Sequence, residues 1–403
     1  MDRIRLINYL AAQRNAKNYL EICVHDKQNT FAYIQCSYKK SNYPASSDLF
    51  FITNRDKFDI IFIDGFHSEE QVLKDIHHSF QCLADSGIII LHDCMPPDAW
   101  HQREADKYRS GENWNGTVWK AVLRTFNTSG YKCTLLDTDW GCGIIDTAQA
   151  QLPRHRVLPL NLQYELHYPW LLKYKQSVAE YLRAQVKVFY HVACMGNWKD
   201  VFDEQVQQLK QNGFYKIDLT VLGTENDLAA LQDTCAKYRV KPNIIFHADD
   251  LTWFEKPAIL AIEDYARKNE HGYILYLHSK GVSNPDDGTK AKWRRLMMKE
   301  LVQNWEYCML QLPNYDAIGV NWREMHPTSH FCGNFWYASV KYLRKLADFN
   351  YYYEHPLYQI WDAFHSKRLG CEFWISSGRE KPRVLSLFCR NVDFCNHEYW
   401  RNK

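Results

Sequence analysis

The sequence predicts an α/β protein of two halves, each organised around a largely parallel sheet. Three observations predict it. Short apolar runs bounded by turn residues recur along the chain, and apolar positions between them fall at helical spacing. That alternation marks strands joined by crossover helices. The chain has 403 residues, enough for two domains at roughly 100–200 residues each. Finally, 46% of the residues are hydrophobic and 15% aromatic, enough for two cores and too much for a disordered chain.

In the first half, strands are expected over 19–24, 59–64, 87–93, 132–136 and 143–146. A helix is expected over 69–84, because Val72, Ile76, Phe80 and Leu83 recur on one face. The stretch 151–185 contains Pro153, Pro159 and Pro169 and then a polar helix, and it reads as a connector. In the second half, strands are expected over 187–193, 217–222, 243–247, 273–277 and 317–320, with helices over 199–211, 227–238, 257–268 and 290–312. The predicted organisation is therefore a domain over 1–150, a connector over 151–185 and a second domain over 186–403.

Composition narrows the function. There are 49 Lys+Arg against 47 Asp+Glu, and no basic stripe or tail, which disfavours nucleic acid as a partner. The 13 cysteines include no C-x-x-C pair, so reduced thiols in a cytoplasmic compartment are expected. Cys389, Cys395 and His397 lie close in sequence and make a weak metal candidate. No apolar leader opens the chain, and the longest apolar runs fall far short of the ~20 residues of a membrane span. A soluble protein is expected, with peripheral contact to a membrane face left open. Only 17 residues are glycine, and none lies among the first 64; phosphate-binding loops rely on glycine.

In the first half, "FDIIFIDGFHSEEQVLKDI" ends a buried strand at Asp64, and Gly65 and His67 follow. "GIIILHDCMPP" brings His92 and Asp93 to the same edge. Ligands in open α/β sheets bind at the carboxyl ends of the strands. Two carboxylates and two imidazoles there suit a divalent cation or acid–base work. The alternative is that these residues cap helices and turns.

"YLEICV", "FDIIFIDGFHSEEQVLKDI", "GIIILHDCMPPD", "NGTVWKAVLRTF" and "LLDTDWGCGII" resemble, in order, the blocks of class I S-adenosylmethionine-dependent methyltransferases. The resemblance implies a Rossmann-like sheet over about residues 17–147. It implies a metal position at Asp64 and Asp93, and His67 as a general base. The family's first block continues Glu-x-Gly-x-x-x-Gly. Here it reads Glu21, Ile22, Cys23, Val24, His25, Asp26, Lys27, and no acidic residue follows in "FAYIQCSYKKSNYP". Side chains at Cys23 and Lys27 would crowd a cofactor that needs close backbone approach. The expectation is a degenerate module that keeps the fold, with S-adenosylmethionine an unlikely ligand.

In the second half, "YILYLHSKGVSNP" delivers His278, Ser279, Lys280 and Gly281 to a strand's carboxyl edge. A lysine and a histidine there can neutralise a leaving diphosphate without a metal. The alternative for Lys280 is a solvated loop side chain. "SHFCGNFWYASVKYLRKL" sets His330, Gly333 and Asn334 among Phe331, Phe335 and Trp336. Rings beside polar groups suit sugars; a buried aromatic strand is the alternative.

These blocks are similar to a family of bacterial and viral polysaccharide glycosyltransferases with a GT-A-like fold. The resemblance runs through Glu255, Pro257 and Leu260, "LYLHSKGVS", Trp293, Arg294 and Met297, Asp316 and Gly319, "HFCGNFWYA" and "CEFWISS". It implies transfer of a sugar from a UDP- or GDP-linked donor to a glycan of capsule, lipopolysaccharide or glycoprotein, with no metal required. It implies Glu372 as catalytic base and His278 and Lys280 on the diphosphate. Asp249 and Asp250 would touch the donor, and Trp293, Arg294, His330, Gly333, Asn334 and Trp336 would line the site. A viral source would place the same chemistry in host cytoplasm. Two alternatives stand beside this leading expectation: a sugar O-methyltransferase using S-adenosylmethionine and a divalent metal, and a non-catalytic glycan-binding assembly protein.

Overall fold

The computed structural model describes residues 1–24, 30–153, 156–283, 288–325, 328–357, 359 and 363–388. The chain forms two compact units, Met1–Tyr181 and Leu182–Lys403.

The first unit holds strands β1 (Asn18–Cys23), β2 (Tyr38–Ser41), β3 (Phe58–Asp64), β4 (Leu83–Leu91), β5 (Tyr131–Leu136), β6 (Cys142–Ala150) and β7 (Lys175–Gln176). They form one sheet in the order β2-β1-β3-β4-β6-β5-β7. The central strands β1, β3 and β4 are nearly continuous apolar runs because helices cover both faces. The five expected first-half strands are present, with β4 beginning four residues early at Leu83, and β2 and β7 are added; β6 runs antiparallel to both β4 and β5. Only residues 137–141 join β5 to β6, too few for a crossover helix. Asp139, Trp140 and Gly141 all take positive φ in that reversal.

Helices α1 (Arg3–Arg14), α2 (Ser47–Thr53), α3 (Glu69–Cys82), α4 (Val118–Thr128) and α5 (Tyr164–Leu171) flank this sheet. The Ser68 side chain caps α3 by accepting from the Gln71 N–H, and Glu69 and Glu70 complement the positive end of its dipole. Val72 and Ile76 of α3 meet Ile61, Ile63, Ile89 and Leu91 of the sheet in one core. Each such side chain, fully buried, contributes roughly 1.5–3 kcal/mol. The helix stops short of residue 84 because Leu83 already begins β4.

The connector expected over 151–185 is instead built, up to residue 181, into the first unit. Strand β7 pairs with β5, and Leu162, Leu171 and Tyr174 join the core. The Tyr174 hydroxyl donates to the Phe126 carbonyl at 3.1 Å. Pro169 lies inside α5, so the later part of the segment is packed structure rather than a free linker.

The second unit holds β8 (Val186–Ala193), β9 (Lys216–Leu222), β10 (Lys241–Ala248), β11 (Tyr273–His278), β12 (Ala317–Gly319), β13 (Trp322–Arg323), β14 (His330–Phe331), β15 (Trp336–Ser339) and β16 (Val384–Ser386). Seven of them form a mixed sheet, β10-β9-β8-β11-β15-β12-β16, and β13 pairs with β14. Strands β8 to β11 are parallel, whereas β15 is antiparallel to β11 and β12. The helices used below are α6 (Trp198–Gln211), α7 (Glu225–Tyr238), α8 (Lys256–Lys268), α9 (Gly288–Met298), α10 (Trp305–Gln311) and α11 (Ala363–Phe373). The single helix expected over 290–312 is divided by a π turn, Lys299–Gln303, and by Asn304.

Candidate functional site

In the first unit, Asp64 ends β3, and His92 and Asp93 follow β4, so the strand ends bring them together as expected. The His67 Nε2 lies 3.4 Å from an Asp64 oxygen and 3.5 Å from an Asp93 oxygen. The His92 Nδ1 lies 2.9 Å from Asp93 and 3.4 Å from Asp64. Three residues that the sequence reading missed complete the cluster. The Asp139 carboxylate sits 3.7 Å from His92 Nε2, Arg3 pairs with Asp139 at 3.1 Å, and the Asn115 amide donates to Asp93 at 2.7 Å. Asp139 carried a signal, since it too follows a strand; Arg3 carried none, being 136 residues away in sequence.

Charge balance follows from this geometry. Burial opposes a charged His92, but Asp139, Asp64 and Asp93 outweigh it and push its pKa up to about 12. Burial likewise acts to raise the Asp64 pKa, yet His67 and His92 hold it well below the usual carboxylate range. His67 is also shifted upward, burial being outweighed by Asp64 and Asp93. The two carboxylates thus favour a proton on His67, which opposes the expected role of general base. Among the described residues, Asp64, His67 and Asp93 form the cluster whose ligand atoms lie within 4.8 Å of one another, and the donor set of two carboxylates and one imidazole suits a divalent cation.

Beside this cluster, a cleft of about 430 Å³ is lined by Arg3, Glu21, Cys23, Asp64, His67 and Trp114. Glu21 is 4% exposed; burial pushes its pKa up to about 7, while the Tyr19 hydroxyl, donating at 2.6 Å, pulls the other way. A second pocket of about 310 Å³ shares Cys23 and Val24 and adds Asn42, Ser46 and Asp48. The glycine-free exit of β1 is held by Asn42, whose amide accepts from the Cys23 N–H at 2.7 Å and donates to the Cys23 carbonyl at 3.0 Å. Lys27 lies outside the described residues, as do Cys389, Cys395 and His397.

In the second unit, a cavity of about 370 Å³ opens at the carboxyl ends of β8 and β11. His278, Ser279, Lys280, Gly281 and Glu372 line it, together with Glu255, Lys290 and Arg368. The Lys280 ammonium lies 4.5 Å from the centre of the Trp293 ring. Gly281 has φ +89, and a Cβ there would meet that of Lys290 at 3.0 Å.

Several expected site residues do other work. His278 is no cation: burial, and then Lys280, lower its pKa to about 3, and its Nε2–H donates to the Gly333 carbonyl at 2.8 Å. It therefore cannot neutralise a diphosphate. The Arg294 guanidinium donates to the Lys280 carbonyl at 2.9 Å and pairs with Glu204 at 3.2 Å, so it shapes the loop. Trp336 is 1% exposed and donates to the Asn334 side-chain oxygen at 2.9 Å. Asn334, also 1% exposed, donates to Glu255 at 2.7 Å. His330 donates to the Thr328 carbonyl at 2.7 Å and packs on Phe373; it is not among the cavity's lining residues. Asp249 and Asp250 are exposed, and Asp250 caps a short turn by accepting from the Thr252 N–H. Asp316 pairs with Arg383 at 3.2 Å.

A family model for a methyltransferase domain matches residues 7–94. A second, for a domain of unknown function, matches residues 188–375. No curated protein matches. Among solved structures, the first unit is similar to the SAH-bound methyltransferase PaMTH1 of Podospora anserina, at 15% identity and TM-score 0.27, covering 35% of this chain and 76% of that one. It is also similar to a putative caffeoyl-CoA O-methyltransferase from Staphylococcus aureus, at 19% identity and TM-score 0.26, covering 36% of this chain and 84% of that one. The methyltransferase-domain match falls within the N-terminal unit, whose sheet is Rossmann-like.

That finding corrects the expectation that S-adenosylmethionine is an unlikely ligand. The methyltransferase match runs through β1 and its glycine-free exit. The Asn42 clasp on Cys23 supplies another way to hold that exit beside an open cleft. No helix among the described residues is long and apolar enough to cross a membrane.

Proposed function

We propose that the first unit transfers a methyl group from S-adenosylmethionine to a sugar hydroxyl, at a site that takes a divalent cation. The observation that carries this reading is the convergence of Asp64, His67 and Asp93 beside the cleft at the end of β1. S-adenosylmethionine supplies an electrophilic methyl group on a sulfonium. Glu21, which lines the cleft, would accept from the donor's ammonium group, and Asp48, which lines the neighbouring pocket, from its ribose hydroxyls. Asp64, His67 and Asp93 would hold the cation, whose charge favours ionisation of a bound hydroxyl. Asn115 and His92 fix Asp93. Phe66, Tyr108 and Trp114 pack together beside the site, offering ring faces for a sugar. Titration calorimetry with S-adenosylmethionine and its demethylated product, with and without Mn²⁺, tests this. Micromolar binding to the wild type, and loss of methyl transfer to a sugar panel in Asp64→Asn and Asp93→Asn, is the expected result. Absence of any binding would remove the reading.

A second reading attaches to the second unit, and its cavity favours it. Lys280 and Arg368 line the same 370 Å³ space as Glu255 and Glu372. Cations for a departing diphosphate beside carboxylates for a hydroxyl are what sugar transfer from a nucleotide-linked donor to a glycan requires. Thermal shift with UDP and GDP, and loss of that shift in Lys280→Ala, tests it.

A further inference from the structure

We propose that Glu255, in place of Glu372, is the carboxylate that removes the acceptor proton in the cavity of the second unit. The inference rests on the sugar-transfer reading of that cavity. Three observations converge on Glu255.

The first is how its carboxylate is held. The Tyr276 hydroxyl and the Asn334 amide each donate to Glu255 Oε2 at 2.7 Å. Tyr276 is fully buried and Asn334 is 1% exposed. Both bonds fall on one oxygen, so Oε1 has no hydrogen-bond partner among the described residues while Glu255 lines the cavity. Two buried donors orient the group and leave one oxygen for a ligand, an arrangement that keeps a reacting group in place.

The second is the scaffold behind those donors. The Trp336 indole N–H donates to the Asn334 oxygen at 2.9 Å, so the amide's two ends are told apart and its NH₂ must point at Glu255. Asn334 also donates to the Cys371 carbonyl at 3.3 Å, in the residue next to Glu372.

The third is backbone strain in the residue before the carboxylate. Phe254, the residue before Glu255, has φ +49, and Asn334 has φ +57. A bulky side chain in the left-handed region is a rare and costly conformation. Gly333, beside Asn334, also has positive φ, and a Cβ there would lie 2.9 Å from the Trp293 ring. Glu372 has no comparable support. It lies one turn after Arg368 on α11, and no donor among the described residues fixes it.

In the step proposed, the acceptor hydroxyl proton passes to Glu255 Oε1. The freed oxygen pair forms the bond to the donor's anomeric carbon while the bond from that carbon to the phosphate oxygen breaks. The diphosphate leaves with the electron pair of the broken bond, beside Lys280 and Arg368.

The test uses the full chain and a panel of UDP- and GDP-sugars, with donor binding followed by calorimetry and transfer or donor hydrolysis followed as nucleotide release. Glu255→Gln is expected to bind donor like the wild type and to lose about 10²-fold or more in rate. Glu255→Ala is expected to be restored in part by sodium formate, a rescue that a merely structural carboxylate would not show; Glu255→Gln, its site still filled, is expected not to respond. Wild-type donor binding and turnover with an undiminished Glu255→Gln rate would overturn the role of Glu255 and leave the sugar-transfer reading standing. A wild type that neither binds nor turns over any member of the panel would overturn that reading and this inference with it.

Discussion

The Nδ1–H of His67 donates to the Trp114 carbonyl oxygen at 3.0 Å. A carbonyl can only accept, so Nδ1 carries a proton and Nε2 is the nitrogen that turns between Asp64 and Asp93. A proton and a divalent cation compete for that nitrogen. Burial disfavours the proton, the two carboxylates favour it more, and the His67 pKa is raised. Mn²⁺ binding should therefore release a proton and tighten with rising pH, by up to about tenfold per pH unit while His67 remains protonated. Calorimetry in buffers of different ionisation enthalpy measures the release directly. A pH-independent affinity would show that His67 is not a ligand.

Glu21 makes a second pH-dependent prediction. Burial raises its pKa to about 7 against the opposing bond from Tyr19, so the folded chain holds this proton more tightly than the unfolded one. The stability it contributes is complete below the unfolded carboxyl value, ~4.3, and is lost as pH rises through the folded value. Glu21→Gln cannot lose a proton. Its melting temperature relative to the wild type should climb between about pH 5 and pH 8. A constant difference across that range would mean that Glu21 titrates normally.

The strands were legible because their apolar runs are short and their carboxyl ends carry polar residues. Asp64, His67, His92 and Asp93 converge for that reason alone. What escaped was the function of residues that act through a distant partner. Arg3 reaches Asp139 from the start of the chain, and no local pattern announces it. His278 looks like a cation in "LHSKG", but burial, and then Lys280, make it neutral. Asn334 and Trp336 look like a sugar platform, yet both are buried behind Glu255. The missing glycines were misleading in the same way, since Asn42 holds the end of β1 with side-chain bonds instead.

Gly116 offers a test of the first site that leaves every proposed cation ligand intact. It has φ +61, and a Cβ there would lie 2.1 Å from the His67 carbonyl oxygen. The next residue, Thr117, donates its N–H to that same oxygen at 2.9 Å. Gly116→Ala must therefore push the loop and His67 apart, at a cost of about 1–3 kcal/mol. The expected outcome is a folded protein with a lower melting temperature and weaker Mn²⁺ binding. Unchanged Mn²⁺ affinity would separate the loop from the site.

The Asn334–Glu255 pair supports a prediction that reads their hydrogen bond by reversing it. In the wild type the Asn334 amide donates and the Glu255 carboxylate accepts. Asn334→Asp replaces the donor with a second acceptor, so two carboxylates meet at 2.7 Å in a part-buried place. The Trp336 indole keeps an acceptor, while the weaker 3.3 Å bond from the same amide to the Cys371 carbonyl is lost with the Glu255 contact. We expect a loss of about 1–3 kcal/mol at neutral pH, recovered on acidification as the pair takes up a shared proton. Adding Glu255→Gln reverses the roles, because the glutamine amide can donate to the new carboxylate. The double variant should therefore melt above Asn334→Asp at neutral pH, a coupling that a double-mutant cycle isolates. Strictly additive losses would mean that the two side chains do not share a bond in solution.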